Sequence, residues 1–304
     1  MNWRLDIAYS PVYELLASLH AYISRNSYKK LDLTPAWAEE VRGRLEPSLE
    51  ELLQSMKTDD EWKSTYLLAM LCPAKDSADG FLDWAGRLNG TSLRELFAEY
   101  SHPFPDNLDE YLDRTLAVLQ DWNDQYFRHI DPAVHEALAR EAAGRNAAIE
   151  SVSIEETIDE TTNGLSFRPI PGVNELLLIP QYHFQPINII YHFDNRILCN
   201  YNARLYFGDE DLIPTPDLRL LRSLGEKNRL KILRYLQGGP RTFIEIVRHL
   251  KLSKGITHDH LNKLRSAGLL YAHLEGENLV EYSIRTKRLY DVQDKLIRYI
   301  IETP

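Results

Sequence analysis

Apolar residues recur at helical spacing over 11–24, 34–55, 61–71, 81–88, 92–100, 107–129 and 132–145, so the first half of the chain is predicted to be helical. After 148 the period shortens. Alternating or continuous apolar runs at 149–154, 176–180, 187–192 and 196–204, joined through Asn163-Gly164 and 169–172, predict strands of a small antiparallel sheet. The helical period returns at 218–224 and 229–236, which are divided by Gly225-Glu226-Lys227-Asn228 and closed by Gly238-Gly239-Pro240.

The densest signal follows. Thr242 can cap a helix over 243–250, with Phe243, Ile246, Val247 and Leu250 on one face. Only Lys251 and Leu252 then precede Ser253, a second N-cap. That cap opens a helix in which Ile256, Leu261 and Leu264 recur near helical spacing, Lys263 and Arg265 suit the negative end of the helix dipole, and Gly268 stands at C′. Two helices on so tight a connection predict a helix-turn-helix, the second being the recognition helix. Apolar runs at 270–274 and 279–284 around Glu275-Gly276-Glu277-Asn278 predict a hairpin, hence a winged helix-turn-helix.

Residues 218–285 resemble the ArsR-type winged-helix repressors. The likeness is carried by Leu224 with 228–233, by Leu252-Ser253 through Leu261 to Ala267-Gly268-Leu269, and by Tyr282 on the second wing strand. In that family the terminal helices pair across a two-fold axis, so the resemblance implies a homodimer with recognition helices one DNA turn apart. Here the terminal helix is 286–301, and Leu289, Val292, Leu296, Tyr299 and Ile300 are its expected dimerisation stripe. Three departures matter. Asp259 stands where family members often have a basic or neutral polar residue, and a carboxylate near phosphates is repelled. The Cys-x-Cys box of the family's metal sensors has no counterpart on 243–250, which gives no support to soft-metal sensing. The wing tip carries Glu275 and Glu277 where an arginine often reaches the minor groove, so wing-to-groove contact is not expected. Glu245 and His249 stand i, i+4 and could share a metal, but a solvated ion pair is the preferred reading.

Charge separates two regions. The 304 residues sum to −10, yet from 216 onward 17 Lys and Arg face 10 Asp and Glu, leaving 18 against 35 upstream. A basic module on an acidic body suits a phosphate-facing domain beside one that does not touch DNA. The expected class is α+β, mainly α: an acidic domain over 1–214, helical to about 148 and β-rich over 149–207, then a winged helix-turn-helix domain over 215–304, with 208–216 as linker. The start of the chain lacks a long apolar run and no stretch approaches the roughly 20 residues of a membrane span, which predicts a cytoplasmic protein without membrane contact. Cys72 and Cys199 lie far apart and are expected to be reduced, partly buried thiols.

No phosphate loop, nucleophile elbow or zincin motif occurs, and no catalytic residue, metal or cofactor is assigned. His183 and His192 could converge on a ligand among Tyr182, Phe184, Tyr191 and Phe193, although satisfied half-buried imidazoles are the preferred reading. The expected function is a homodimeric, sequence-specific regulator of transcription acting on double-stranded DNA, a repressor in preference to an activator, with the N-terminal domain serving an unidentified small-molecule effector, dimerisation or both. Lys254, Ile256, Thr257, His258, Asp259 and Asn262 are the base-facing candidates. Arg241, Lys251, Lys263, Arg265, Arg285, Lys287 and Arg288 are the phosphate candidates. For Asp259 a salt bridge to Lys263 is preferred over acceptance from a cytosine amine. The alternatives are a protein-interaction module, favoured by the acidic wing, and an enzyme acting through His183 or His192.

Overall fold

The computed structural model describes residues 4–207 and 213–301; most of the expected linker, 208–212, lies outside them. In chain order the elements are β1 (Arg4–Ile7), α1 (Pro11–Ile23), α2 (Thr34–Arg42), α3 (Pro47–Ser55), α4 (Asp60–Leu71), α5 (Ala78–Ala85), α6 (Gly90–Phe97), α7 (Leu108–Gln125), α8 (Pro132–Ala148), α9 (Ile154–Thr162), β2 (Leu165–Phe167), β3 (Glu175–Gln181), β4 (Ile189–Phe193) and β5 (Arg196–Asn202). After them come α10 (Thr215–Leu224), α11 (Lys227–Leu236), α12 (Phe243–Leu250), α13 (Lys254–Ser266), β6 (Leu270–Glu275), β7 (Asn278–Ile284) and α14 (Thr286–Ile301).

The chain forms two compact units, and the division does not fall at 214. Residues 148–171 belong with 204 onward, while 2–147 and 172–203 form the other unit. The expected N-terminal domain is therefore interrupted by a segment that serves the C-terminal one.

The helical unit is built around α1, which Ser10 opens by accepting the Val12 N–H. Its residues from Val12 to Ile23 are all buried, as an element surrounded by others requires. Leu15, Leu16 and Leu19 meet Tyr66 and Leu67 of α4, Phe81 of α5 and Trp122 of α7 in a single core. The expected helix over 34–55 is two helices, because Pro47 opens α3 and holds Glu46 extended.

The sheet of this unit runs β1-β3-β5-β4. It corrects the expectation of an antiparallel sheet: β1–β3 and β3–β5 are parallel, and only the β4–β5 hairpin is antiparallel. Periodicity is blind to strand direction, although the unbroken apolar run from Leu176 to Ile179 is what a strand covered on both faces shows. Both cysteines are buried and free. No helix among the described residues is long and apolar enough to cross a membrane.

In the winged-helix unit, α10, α11, α12 and α13 pack around Leu220, Ile232, Leu236, Ile246, Leu261 and Leu264, and the β6–β7 wing closes the core with Leu269, Leu270 and Tyr282. Buried Arg229 caps α10 by donating to the carbonyls of Ser223 at 2.8 Å and Arg222 at 2.6 Å. The wing has a third strand. β2 pairs in parallel with β6, Leu165 opposite Ala272 and Phe167 opposite Leu274. The strand expected at 149–154 is instead a 3-10 turn leading to α9, which Ser153 caps by accepting the Glu156 N–H.

Candidate nucleic-acid interface

The presentation of α13 begins with α12. Thr242 and Glu245 form a reciprocal capping box at its start, and Lys251 ends it in the left-handed region at φ 55°. Ser253 then accepts the Ile256 N–H to open α13. At the far end Leu269 N–H donates to the Leu264 carbonyl at 3.0 Å and Gly268 N–H to that of Arg265 at 2.8 Å, a Schellman closure that needs the positive φ of Gly268. Both ends of the helix are thus determined by residues whose roles were legible in the sequence.

Burial divides the two faces. Thr257, Leu261 and Leu264 are fully buried and His260 nearly so, leaving Lys254, Ile256, His258, Asp259 and Lys263 exposed with Asn262 half-buried. Thr257 is therefore not base-facing; it sits one turn before Leu261 on the core side, where a small hydroxyl residue leaves no apolar signature to read. Lys263 donates to Asp259 at 2.7 Å, the salt bridge preferred from sequence. Asn262 Nδ2 lies 3.1 Å from His258 Nδ1. The exposed face carries a pair-neutralised carboxylate, two amide or imidazole edges, one lysine and one apolar side chain, a donor-and-acceptor set able to read base edges in a major groove.

The phosphate candidates scatter. Lys251 is exposed at the turn. Arg241 is half-buried, its guanidinium 5.2 Å from the Tyr235 ring centre and donating to the carbonyls of Pro240 and Gly238. Lys263 is committed to Asp259, and Arg265 is half-buried. Arg285 is not at the surface: it forks onto Asp159 of α9 at 2.7 and 3.2 Å and is buried. Lys287 donates to Glu160 at 2.8 Å. Arg288 lies 3.8 Å from both Asp217 and Asp291. These three cations look free in sequence because their acidic partners lie mostly in other elements, α9 and α10.

Glu245 is occupied by the Thr242 cap, and His249 stacks on Tyr235 with ring centres 3.8 Å apart, so the two do not form a metal pair. Of the expected dimerisation stripe, Leu289 and Val292 pack against the unit's own core, whereas Tyr299 and Ile300 are exposed beside Ile297 and Ile301. In the helical unit His183 is buried rather than ligand-facing. Its Nδ1 lies 2.5 Å from Glu14 and its Nε2 2.7 Å from the Tyr126 hydroxyl, which accepts the Trp37 indole N–H at 2.9 Å. His192 lies 2.7 Å from the Asp194 carbonyl.

A helix pair set against a bundle with a β wing, and a polar face left open on the second helix, defines a winged helix-turn-helix. The family model described as bacterial regulatory protein, arsR family, matches residues 226–272. The chain is 31% identical to the transcriptional repressor SdpR of Bacillus subtilis (strain 168) over 81 residues, 27% of this chain and 89% of that protein. It is 33% identical to a probable mercury resistance operon repressor of Streptomyces lividans over 79 residues, 26% of this chain and 62% of that protein. No solved structure matches the chain. Through its winged-helix unit this chain belongs to the ArsR family of bacterial regulatory proteins, and it is a DNA-binding regulator of transcription.

Proposed function

We propose that the chain is a homodimeric transcriptional repressor that reads a specific duplex sequence with α13. The observation that carries this is the exposed face of Lys254, Ile256 and His258, with half-buried Asn262 beside them, on a helix held at both caps and buried on its other side. Ile256, half exposed, suits a thymine methyl, and Asn262 suits adenine. Lys251 and Arg241 flank this face as phosphate contacts.

The second copy docks along α14. Val292, Leu296 and Tyr299 line a groove of about 490 Å³ with Leu220 and Leu221 of α10, and Ile297, Ile300 and Ile301 extend the apolar surface beyond it. The helical unit serves effector control. A groove of about 320 Å³ between α3, α4 and α7, lined by Trp62, Tyr111, Val118 and Leu119 and rimmed by Lys57, Asp59 and the Glu61–Arg114 pair, is where a small amphipathic molecule would enter.

Fluorescence anisotropy of the full chain against duplex from upstream of its own gene and a scrambled control, over a salt series, tests the reading. Tight, salt-steep and selective binding supports it, and Lys254→Ala with Asn262→Ala then weakens the preferred duplex while the fold persists. Equal, weak binding to every duplex tried would turn the assignment toward the protein-docking alternative, which the acidic wing favours.

A further inference from the structure

The wing hairpin, residues 270–284, contains no lysine or arginine and three glutamates, Glu275, Glu277 and Glu281. Its histidine does not offset them: burial, and then Arg168, lower the pKa of His273, which leaves that imidazole neutral near pH 7. A hairpin with that charge beside a recognition helix repels phosphates. The cation it lacks comes from elsewhere in the chain.

β2 joins the wing as its third strand, with the Ala272 N–H donating to the Gly164 carbonyl at 2.8 Å and the Arg168 N–H to that of Leu274 at 2.7 Å. This ladder sets Arg168 level with the wing tip. Its guanidinium lies 3.3 Å from Glu275 through Nη1 and donates to Glu281 through Nη2. The side chain is 38% exposed, so the pair lies at the surface where its net charge is felt outside. The position is enforced from behind by the buried Arg285–Asp159 fork and by Asn163, which reaches toward the Ser266 carbonyl at the end of α13.

We infer that Arg168, supplied by a segment more than fifty residues upstream of the helix-turn-helix match, belongs to the DNA interface and offsets part of the negative charge of the two wing carboxylates it meets, so that the wing can lie beside the phosphate backbone. This rests on the DNA-binding reading above. It makes the interface composite: α9 and β2 complete a wing whose own hairpin carries the wrong charge.

The test is duplex affinity of the full chain by anisotropy, with thermal melts of every variant. Arg168→Ala is expected to weaken binding about three- to tenfold at roughly 50 mM salt, with the deficit closing as ionic strength rises. Adding Glu275→Gln and Glu281→Gln to that variant restores affinity to at least that of wild type, because two negative charges are removed for the one positive charge lost. Glu275→Gln/Glu281→Gln alone keeps Arg168 and the β2–β6 ladder and binds more tightly than wild type, which covers the case in which Arg168→Ala does not fold. Wild-type affinity in folded Arg168→Ala overturns the inference, as does a double glutamine variant no tighter than wild type. If the wild type binds no duplex, the DNA-binding reading falls first and takes this inference with it.

Discussion

Replacing Asp159 by alanine should destabilise the winged-helix unit far more than an ordinary ion-pair mutation. Asp159 accepts two charge-assisted bonds from Arg285 at 2.7 and 3.2 Å, and the Tyr271 hydroxyl stands 3.3 Å from the same carboxylate. The Asp159 and Arg285 side chains are only 13% and 5% exposed, so losing the carboxylate leaves a guanidinium out of water with weaker partners, the Gly268 carbonyl at 3.3 Å and Glu160 and Asn163 at 3.4 Å. Breaking a buried pair from one side costs about 3–5 kcal/mol, and these residual partners place Asp159→Ala near the lower bound, about 3 kcal/mol. With a urea dependence of about 1.5 kcal/mol/M for a unit of this size, the midpoint should fall by about 2 M.

The two units can be followed separately, because no tryptophan occurs from 148 onward, and Trp37, Trp62, Trp84 and Trp122 lie in the helical unit. Hydrogen exchange of peptides covering 160–168 and 268–275, measured over a urea series, reads the β2–β6 ladder, while tryptophan emission reads the other unit. Replacing both partners with apolar residues, Asp159→Leu with Arg285→Met, should return stability to within about 1 kcal/mol of wild type, since no charge is then stranded. A shift of less than about 0.5 M for Asp159→Ala would mean that the pair is screened by solvent, because it is what a surface pair gives.

Three further outcomes follow from the same structure. Gly268→Ala forces a side chain into φ +71° with its Cβ 2.2 Å from Asn163 Oδ1, so the winged-helix unit should lose about 2 kcal/mol or more; unchanged exchange protection at 264–272 would contradict this. Burial holds His20 at a pKa of about 3 against an ordinary 6.5, so the folded chain keeps it neutral to accept the Trp62 indole N–H at 3.0 Å. Its contribution is fully present above pH 6.5 and declines by about 1.4 kcal/mol per unit as pH falls from there toward 3, because over that window the unfolded chain binds the additional proton. Urea midpoints by tryptophan emission between pH 7 and 4.5 should fall less steeply for His20→Gln, and parallel slopes would exclude the assignment. Tyr299→Glu with Ile300→Glu, both at exposed positions of α14, should halve the mass by light scattering and lower the melting temperature only by the concentration-dependent part that dimerisation adds, leaving the chain folded; a wild type already monomeric at micromolar concentration removes the basis for that prediction.

The parts of the interface legible in the sequence are those set by neighbours along the chain. Thr242, Ser253 and Gly268 announce the ends of α12 and α13 because caps act over three or four residues, and the Asp259–Lys263 pair follows from one helical turn. What could not be read depends on partners far away. Arg285 resembles any surface arginine until Asp159, 126 residues earlier, is brought against it. The run at 149–154 looks like a strand because its apolar residues are too few to distinguish periods, whereas Ser153 as a cap decides for helix. β2 is three residues long and finds its ladder partner more than a hundred residues on, so nothing local marks it.

These misses share one cause and one consequence. The segment 148–171 carries the acidic groups that cover Arg285 and Lys287 and the basic group that meets Glu275 and Glu281. Charge counted along the chain therefore overstates the basic surface of the C-terminal module, since some of its cations are matched by α9. The same count overstates the negative charge of the wing, since β2 supplies its counter-charge. A winged helix cut at 215 would expose Arg285 and take the Arg168 partner from Glu275 and Glu281, so the compact unit to express and test is 148–171 together with 204 onward.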